Sequence, residues 1–326
     1  MIQESDIPRF LHSRYALFLF AAISIITTYL ASSWGKVEPI IVNKGLGLTP
    51  INQWVVNPNT SLIINVILNL FIGITMIYIN KTFNILRSPT KTISWLFLVL
   101  QMPFINITGQ LYGGTVLAVA MLICTYILFT CYNNHNPYAI FTIFALISLG
   151  GFFQYAFLLF VPVFLLGSAQ MRIFDLRTTL AAIMGIITPA WILFGFGIIK
   201  FDVITLPQFF GIYDQLSLIE ILQILIPIGL SIFLCIGAWL ANIVKIISYN
   251  AQNRAYNGFF AILSFALIIL ILADFTNYII YIPLLNCCAA LQLGHLFTIY
   301  ESRRSYIGII TVFVVYTALY IWGICL

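Results

Sequence analysis

Charge is what this sequence has least of. Only 7% of its 326 residues are Asp, Glu, Lys or Arg, where a soluble domain carries roughly 25%. That shortage excludes a soluble fold, because no domain of this size could hide so much apolar surface. Histidine is scarce too. His12, His135 and His295 are the whole set, and they stand on three separate segments with no HxxH or HxxxH pair. A three-histidine metal site is therefore not expected, and membrane iron oxygenases, which need many histidines, are disfavoured. No GxGxxG, no P-loop, no nucleophile elbow and no CxxC occurs. An ATPase or a soluble-type hydrolase has no support. The six cysteines, Cys124, Cys131, Cys235, Cys287, Cys288 and Cys325, lie in or at the ends of apolar runs without metal spacing. They read as small packing residues, with no disulfides expected. The net charge of +5 comes from scattered helix-end residues and does not suggest nucleic acid.

What is there is apolar: 62% hydrophobic and 16% aromatic residues, with mean hydropathy +1.07. The runs are rich in Ile, Leu and Phe and lack the short alternating strands of an outer-membrane barrel, so helices are expected. The reading is an all-α, polytopic membrane helical bundle of about eleven transmembrane helices, forming one integral membrane domain over 1–326. A 14-residue polar segment precedes the first span, 15–34, which shows no cleavage site. An outer loop follows over 35–60. The further spans are placed at about 61–79, 92–107, 111–132, 178–199, 218–243, 258–273, 276–297 and 307–326. Between them lies Ala139–Ala169, 31 residues without a charge. One span needs about 20, so this run is too long for one upright helix. Gly150-Gly151 near its middle suggests a central helical hairpin over 139–169 that returns to the side it left.

Lys and Arg orient the chain. With the N-terminus inside, the inner loops hold Arg9, Arg14, Lys81, Arg87, Lys91, Arg172, Arg177, Lys245, Arg254, Arg303 and Arg304, that is 11 of the 14. Were the central run a single crossing, the inner count would fall to 6 of 14 and the bias would vanish. The expectation is a bacterial inner (plasma) membrane protein with a cytoplasmic N-terminus and a periplasmic C-terminus. The basic inner loops then serve topology and contact with anionic lipid headgroups.

Of nine acids, five fall on the outer side: Glu38, Asp202, Asp214, Glu220 and Asp274. A carboxylate at the membrane surface can deprotonate an acceptor or hold a divalent cation. Glu38 sits in the first outer loop. Asp274 sits between two apolar helices, where an ionised group is costly and so more often purposeful. Glu38, Asp274 and Asp202 are the candidate catalytic residues. The plainer reading of each is a charge marking a helix end. No bound cofactor is evident, no metal-ligand set is proposed, and a divalent cation is the one addition such acids would suit.

The stretches FFQYAFLLFVPVFLLG, TTLAAIMGIITPAWILFGFGI and NYIIYIPLLNCCAALQL, with Pro283 in mid-helix, resemble the central region of GT-C-type membrane glycosyltransferases. The chain also resembles an uncharacterised family of Bacteroidetes inner-membrane proteins of about this length. The resemblance implies a GT-C-like helix order. GT-C enzymes carry an acid in the first outer loop, and at that position WGKVEP offers Glu38. It implies handling of cell-envelope glycan or lipid-linked saccharide, in its sharp form a transferase using a polyprenyl-phosphate sugar at the outer face. Membrane lipids and a polyprenyl-linked saccharide would then be the partners. Two other readings stand beside it. A transporter or flippase for a lipid-linked substrate needs a polar path, for which Asn65, Asn69, Gln101, Gln154, Gln223, Asn286 and Gln292 are the candidates. A non-catalytic membrane scaffold needs neither path nor pocket.

Overall fold

The computed structural model describes residues 13–34, 45–86, 91–199, 218–299 and 303–325. Among the described residues the secondary structure is all helical. The α-helices are α1 (Arg14–Trp34), α2 (Pro58–Phe83), α3 (Thr92–Gln101), α4 (Ile105–Thr108), α5 (Gly113–Thr130), α6 (Pro137–Phe153), α7 (Val161–Gln170), α8 (Leu176–Gly195), α9 (Leu218–Ile247), α10 (Ala251–Ala273), α11 (Tyr278–Ile299) and α12 (Arg303–Cys325). Short 3-10 turns cover Ile51–Gln53, Tyr155–Phe160 and Phe275–Asn277. Eight of the helices are long and apolar enough to cross a membrane: α1, α2, α5 and α8 to α12. The remaining expected spans correspond to shorter pieces, Thr92–Gln101, Pro137–Phe153 and Tyr155–Gln170. Eleven full-length spans are therefore not what the described residues contain.

Local chemistry starts the helices where the apolar runs meet polar residues. Asn57 accepts a hydrogen bond from the Asn59 N–H ahead of Pro58. Asn136 accepts from Tyr138 and Ala139 ahead of Pro137. Asp175 and Thr178 form a reciprocal capping box for α8, and Asn250 caps α10 through the Asn253 N–H. Each side-chain oxygen satisfies an N–H that the helix itself cannot, and proline at the first position loses nothing because its N–H would have no partner there.

The helices divide the molecule into two ends. At one end, Asn253 and Asn257 reach the Asn84 and Ile85 carbonyls, Tyr256 reaches the Phe129 carbonyl, and the Asn133 N–H bonds Met171. Following the chain from there, Arg14, Lys81, Lys91, Arg172, Arg177, Lys245, Arg254, Arg303 and Arg304 all stand at that end. These are all the Lys and Arg of the described residues, so we name it the basic end. The opposite end carries Asp274.

The central run does fold back. It leaves the basic end at Asn136 and returns at Met171, where His135 Nδ1 donates to the Ile173 carbonyl at 2.6 Å. Its break differs from the one expected at Gly150-Gly151. Both glycines lie inside α6, and the break is at Gln154, extended at φ −150° and ψ 123°. The 3-10 turn Tyr155–Phe160 then leads into α7. A Cβ at Gly150 would strike Phe157, and one at Gly151 would strike Leu158. The glycines admit the returning chain rather than turning it.

The expected span over 92–107 is likewise broken. α3 ends at Gln101, and from Met102 to Tyr112 the backbone is irregular apart from the single turn α4 and mostly buried. Irregular backbone at membrane depth needs internal partners. Asn65 Nδ2 supplies them to the Ile107 and Thr108 carbonyls at 2.7 and 2.9 Å. Ser61 Oγ accepts from the Leu111 N–H at 2.7 Å. Asn286 Nδ2 donates to the Leu100 carbonyl at 3.1 Å.

α11 is the post around which the rest packs. Its apolar window is 89% buried, against 17% for α1, and it touches α3, α5, α9, α10 and α12. Pro283 within it has no N–H, so the Ile279 carbonyl lacks its helical partner. Gly114 lets α5 approach at that point: a Cβ there would lie 2.8 Å from both the Ile279 and Ile280 carbonyl oxygens.

Candidate functional site

At the end opposite the basic residues, α10 stops at Asp274, whose N–H still bonds the Leu270 carbonyl at 2.8 Å. The short turn Phe275–Asn277 reverses the chain into α11. Asp274 is fully buried. Tyr155, first residue past the hairpin break, donates its phenol proton to Asp274 Oδ2. Tyr281 donates to the same oxygen at 2.8 Å. Asn277 Nδ2 donates to Asp274 Oδ1 at 2.7 Å and to the Tyr155 oxygen at 2.8 Å. One carboxylate thus gathers donors from the hairpin tip, the α10–α11 turn and the first turn of α11.

Gln154 stands beside this cluster. It is fully buried, its side chain rests on Gly113, and neither amide atom meets a hydrogen-bond partner among the described residues. Over the hairpin tip lies the chain that precedes α2. The Leu46 and Leu48 N–H groups donate to the Gly151 and Phe152 carbonyls at 3.2 and 3.1 Å. A Cβ at Gly45 would strike the backbone of Phe152 and Phe153. Gly47 takes φ +124°, a conformation L side chains rarely adopt. The Trp54 and Phe153 rings meet edge to face at 5.1 Å. Leu46 and Leu48 also pack on a small apolar cluster of Phe152, Leu193 and Ile199. The 45–54 part of the outer loop is therefore seated on the bundle.

At the same end a cleft of about 680 Å³ opens between the last turns of α1, the 52–58 segment, the first turn of α2 and Gly109-Gln110. Its described lining contains no Asp, Glu, Lys, Arg or His. Hydroxyls and side-chain amides face it alongside Val55, Val56 and Leu62.

Of the candidate residues, Asp274 lies in the buried cluster, its two oxygens accepting hydrogen bonds from Tyr155, Tyr281 and Asn277. Glu38 and Asp202 lie outside the described residues, as does His12. Tyr155, Asn277 and Tyr281 were not among the candidates. Asn277 and Tyr281 follow Asp274 by three and seven positions, the spacing that returns to one side of a tight turn and helix. Tyr155, 119 positions away, carries no such signal. The amides considered as a polar path divide. Asn65 and Asn286 hold the broken backbone, Asn69 bonds its own helix at the Asn65 carbonyl, and Gln223 reaches the Trp322 carbonyl at 3.5 Å. Gln101, Gln154 and Gln292 are buried with amides that meet no partner among the described residues. No group of three or more His, Cys, Asp and Glu able to hold a metal occurs among the described residues. Five cysteines are buried, Cys325 is exposed, and all six are free thiols.

Outside the membrane, the basic end holds one perturbed acid among the described residues. Asp175 sits below the ordinary carboxylate range because the Thr178 backbone N–H, then the Thr178 hydroxyl, bond its charged form, with smaller help from His135 and Arg177. This is the chemistry of a helix cap.

The chain is a multi-pass, all-helical membrane protein by the length and composition of its helices, and no protein-family model, no curated protein and no solved structure matches it.

Proposed function

We propose that this protein handles a lipid-linked saccharide of the cell envelope at the non-cytoplasmic face of a bacterial inner membrane. In its sharper form it is a GT-C-like transferase drawing on a polyprenyl-phosphate sugar. The observation that carries the reading is the contrast between the two ends. All described Lys and Arg stand at one end, which the positive-inside rule assigns to the cytoplasm. The other end carries the polar groups organised by Asp274 and a cleft lined by hydroxyls and amides. Such an end faces a compartment without nucleotide triphosphates, where a group to be transferred must arrive already activated on a lipid. Within this reading Asp274 is a positioning residue that fixes the hairpin tip. Glu38, five positions past Ser33 of the cleft wall, is the candidate base or ligand of a divalent cation.

The test is a deletion strain of the host, with its polyprenyl-linked saccharide pool analysed by mass spectrometry. Loss of the gene is expected to change that pool. Restoration should fail with Glu38→Gln, since a lost general base costs about 10²–10⁴-fold in rate. Asp274→Asn should restore it partly. An unchanged pool in the deletion strain refutes the function. Full rescue by the Glu38→Gln, Asp274→Asn double variant removes catalysis and leaves transport or scaffolding.

A further inference from the structure

The cleft beside α1 and α2 shares no described lining residue with the Asp274 cluster, and its occupant has not been named. Its volume, about 680 Å³, lies in the ordinary range for small-molecule sites, about 300–1,000 Å³. Three features narrow what it can take. The first is the absence of Asp, Glu, Lys, Arg and His from its described lining. A phosphate, a uronate or an ammonium group would find no counter-charge there among those residues and would lose hydration on entering. The second is the kind of polar group present. Gln53 and Asn59 carry exposed side-chain amides, and the Ser33 hydroxyl, which donates to the Tyr29 carbonyl at 2.9 Å, keeps its oxygen as an acceptor. Each amide offers donors and an acceptor on one small plane, which suits neighbouring hydroxyls that both donate and accept. Tyr29, 64% exposed on the same wall, adds a ring face. The third is position. The cleft is flanked by the outward faces of α1 and α2, where Ile26 and Ile63 are exposed. A tail attached to a bound head group can remain among lipid chains without crossing the protein.

We infer that this cleft is the seat of an uncharged saccharide head group of one or two rings whose lipid anchor runs along the outer surface of α1 and α2. This rests on the saccharide reading above and names the site and the class of sugar. Among the described residues the amide and hydroxyl lining suits hexose-like or N-acetylhexosamine-like units better than acidic ones. The charged linkage to the lipid stays at the rim, in water and headgroups.

The experiment uses the full chain in lipid nanodiscs, titrated with two probes. One is a polyprenyl phosphate bearing a neutral hexose, and the other is the same polyprenyl phosphate without sugar. Binding is read by native mass spectrometry. Two variants probe the cleft at exposed positions: Ser33→Trp fills it, and Gln53→Ala with Asn59→Ala strips two amides. The parent should favour the sugar-bearing lipid. Ser33→Trp should weaken that binding at least tenfold, and the double alanine variant about five- to thirtyfold, the loss expected for one to two hydrogen bonds. Both variants should bind the sugarless lipid as the parent does. If the parent favours the sugar-bearing lipid but neither variant weakens it, the cleft is the wrong site and the saccharide reading stands. If the parent binds both lipids equally or binds neither, the saccharide reading falls and this inference with it.

Discussion

Replacing Asp274 by alanine removes the acceptor for Tyr155, Tyr281 and Asn277 at once and leaves their donors buried without it. Interhelical hydrogen bonds in membrane proteins are worth on average about 0.6 kcal/mol and at most about 1.7. Three of them place the loss at about 2–5 kcal/mol, with the upper part favoured because the orphaned groups are buried. Most of that loss should appear as release of the hairpin tip, because Tyr155 is the tip's contact with the α10–α11 turn. The informative assay is a double-mutant cycle of Tyr155→Phe and Asp274→Asn, read as unfolding free energy by steric trapping in bicelles. A coupling of at least about 0.5 kcal/mol is expected for residues in one network. Hydrogen exchange in the same variants should speed up over 151–160 and leave α10 unchanged. Additivity of the two substitutions within about 0.3 kcal/mol, with exchange at the tip unaltered, would show that the tip is held by something else.

The remaining expectations are more compact. Asn65→Leu should cost about 2–3 kcal/mol, because it strands the Ile107 and Thr108 carbonyls and the Thr115 hydroxyl that donates to Asn65; detergent-based thermal unfolding measures it. Gly114→Ala should destabilise by about 1–3 kcal/mol, since its Cβ would meet two carbonyl oxygens of α11. Gly229→Ala in α9, with nothing within 4 Å of the new atom, should be neutral or stabilising by about 0.4–1 kcal/mol, and the reverse order would refute the packing of α5 on α11. The folded-state pKa of Asp175 is lowered, so its contribution is complete above the unfolded value near about 3.9 and is lost as the pH falls through the lower folded value; Asp175→Asn should flatten that acid limb of thermal stability. With Cys325 replaced by Ser, single cysteines at Asn134 and Arg172 should label from one side of the membrane and one at Val56 from the other; labelling of Asn134 and Arg172 from opposite sides would overturn the returning hairpin.

Helix order was legible because hydropathy records it directly. The hairpin break was not. Gly150-Gly151 has the composition of a turn, but in the fold its missing side chains make room for Phe157 and Leu158. A glycine's use depends on what crosses it, and that partner is set by tertiary packing. The interruption after α3 was hidden for a related reason. Its carbonyls are satisfied by Asn65 and Asn286, 42 and 186 positions away, so the local sequence looks like an ordinary apolar span. Asp274 stood out as a lone acid between apolar helices. Its partner Tyr155 sits in a run of aromatic residues where one phenol looks like any other.

The central position of α11 bears on how the molecule is made. Ten of the α-helices described precede it in the chain, yet it supplies the surface against which α3, α5, α9 and α10 pack. Membrane segments enter the bilayer roughly in the order of synthesis, and helix association follows insertion. For most of translation the broken α3 segment, with Leu100 awaiting Asn286, must therefore be accommodated without the helix that completes it. The early helices form a waiting assembly, open along one seam, which the late arrival of α11 closes. Truncation before Tyr278 should then yield a product that inserts but is cleared by membrane quality control, whereas co-expression of the missing α11–α12 fragment should rescue it by filling the seam.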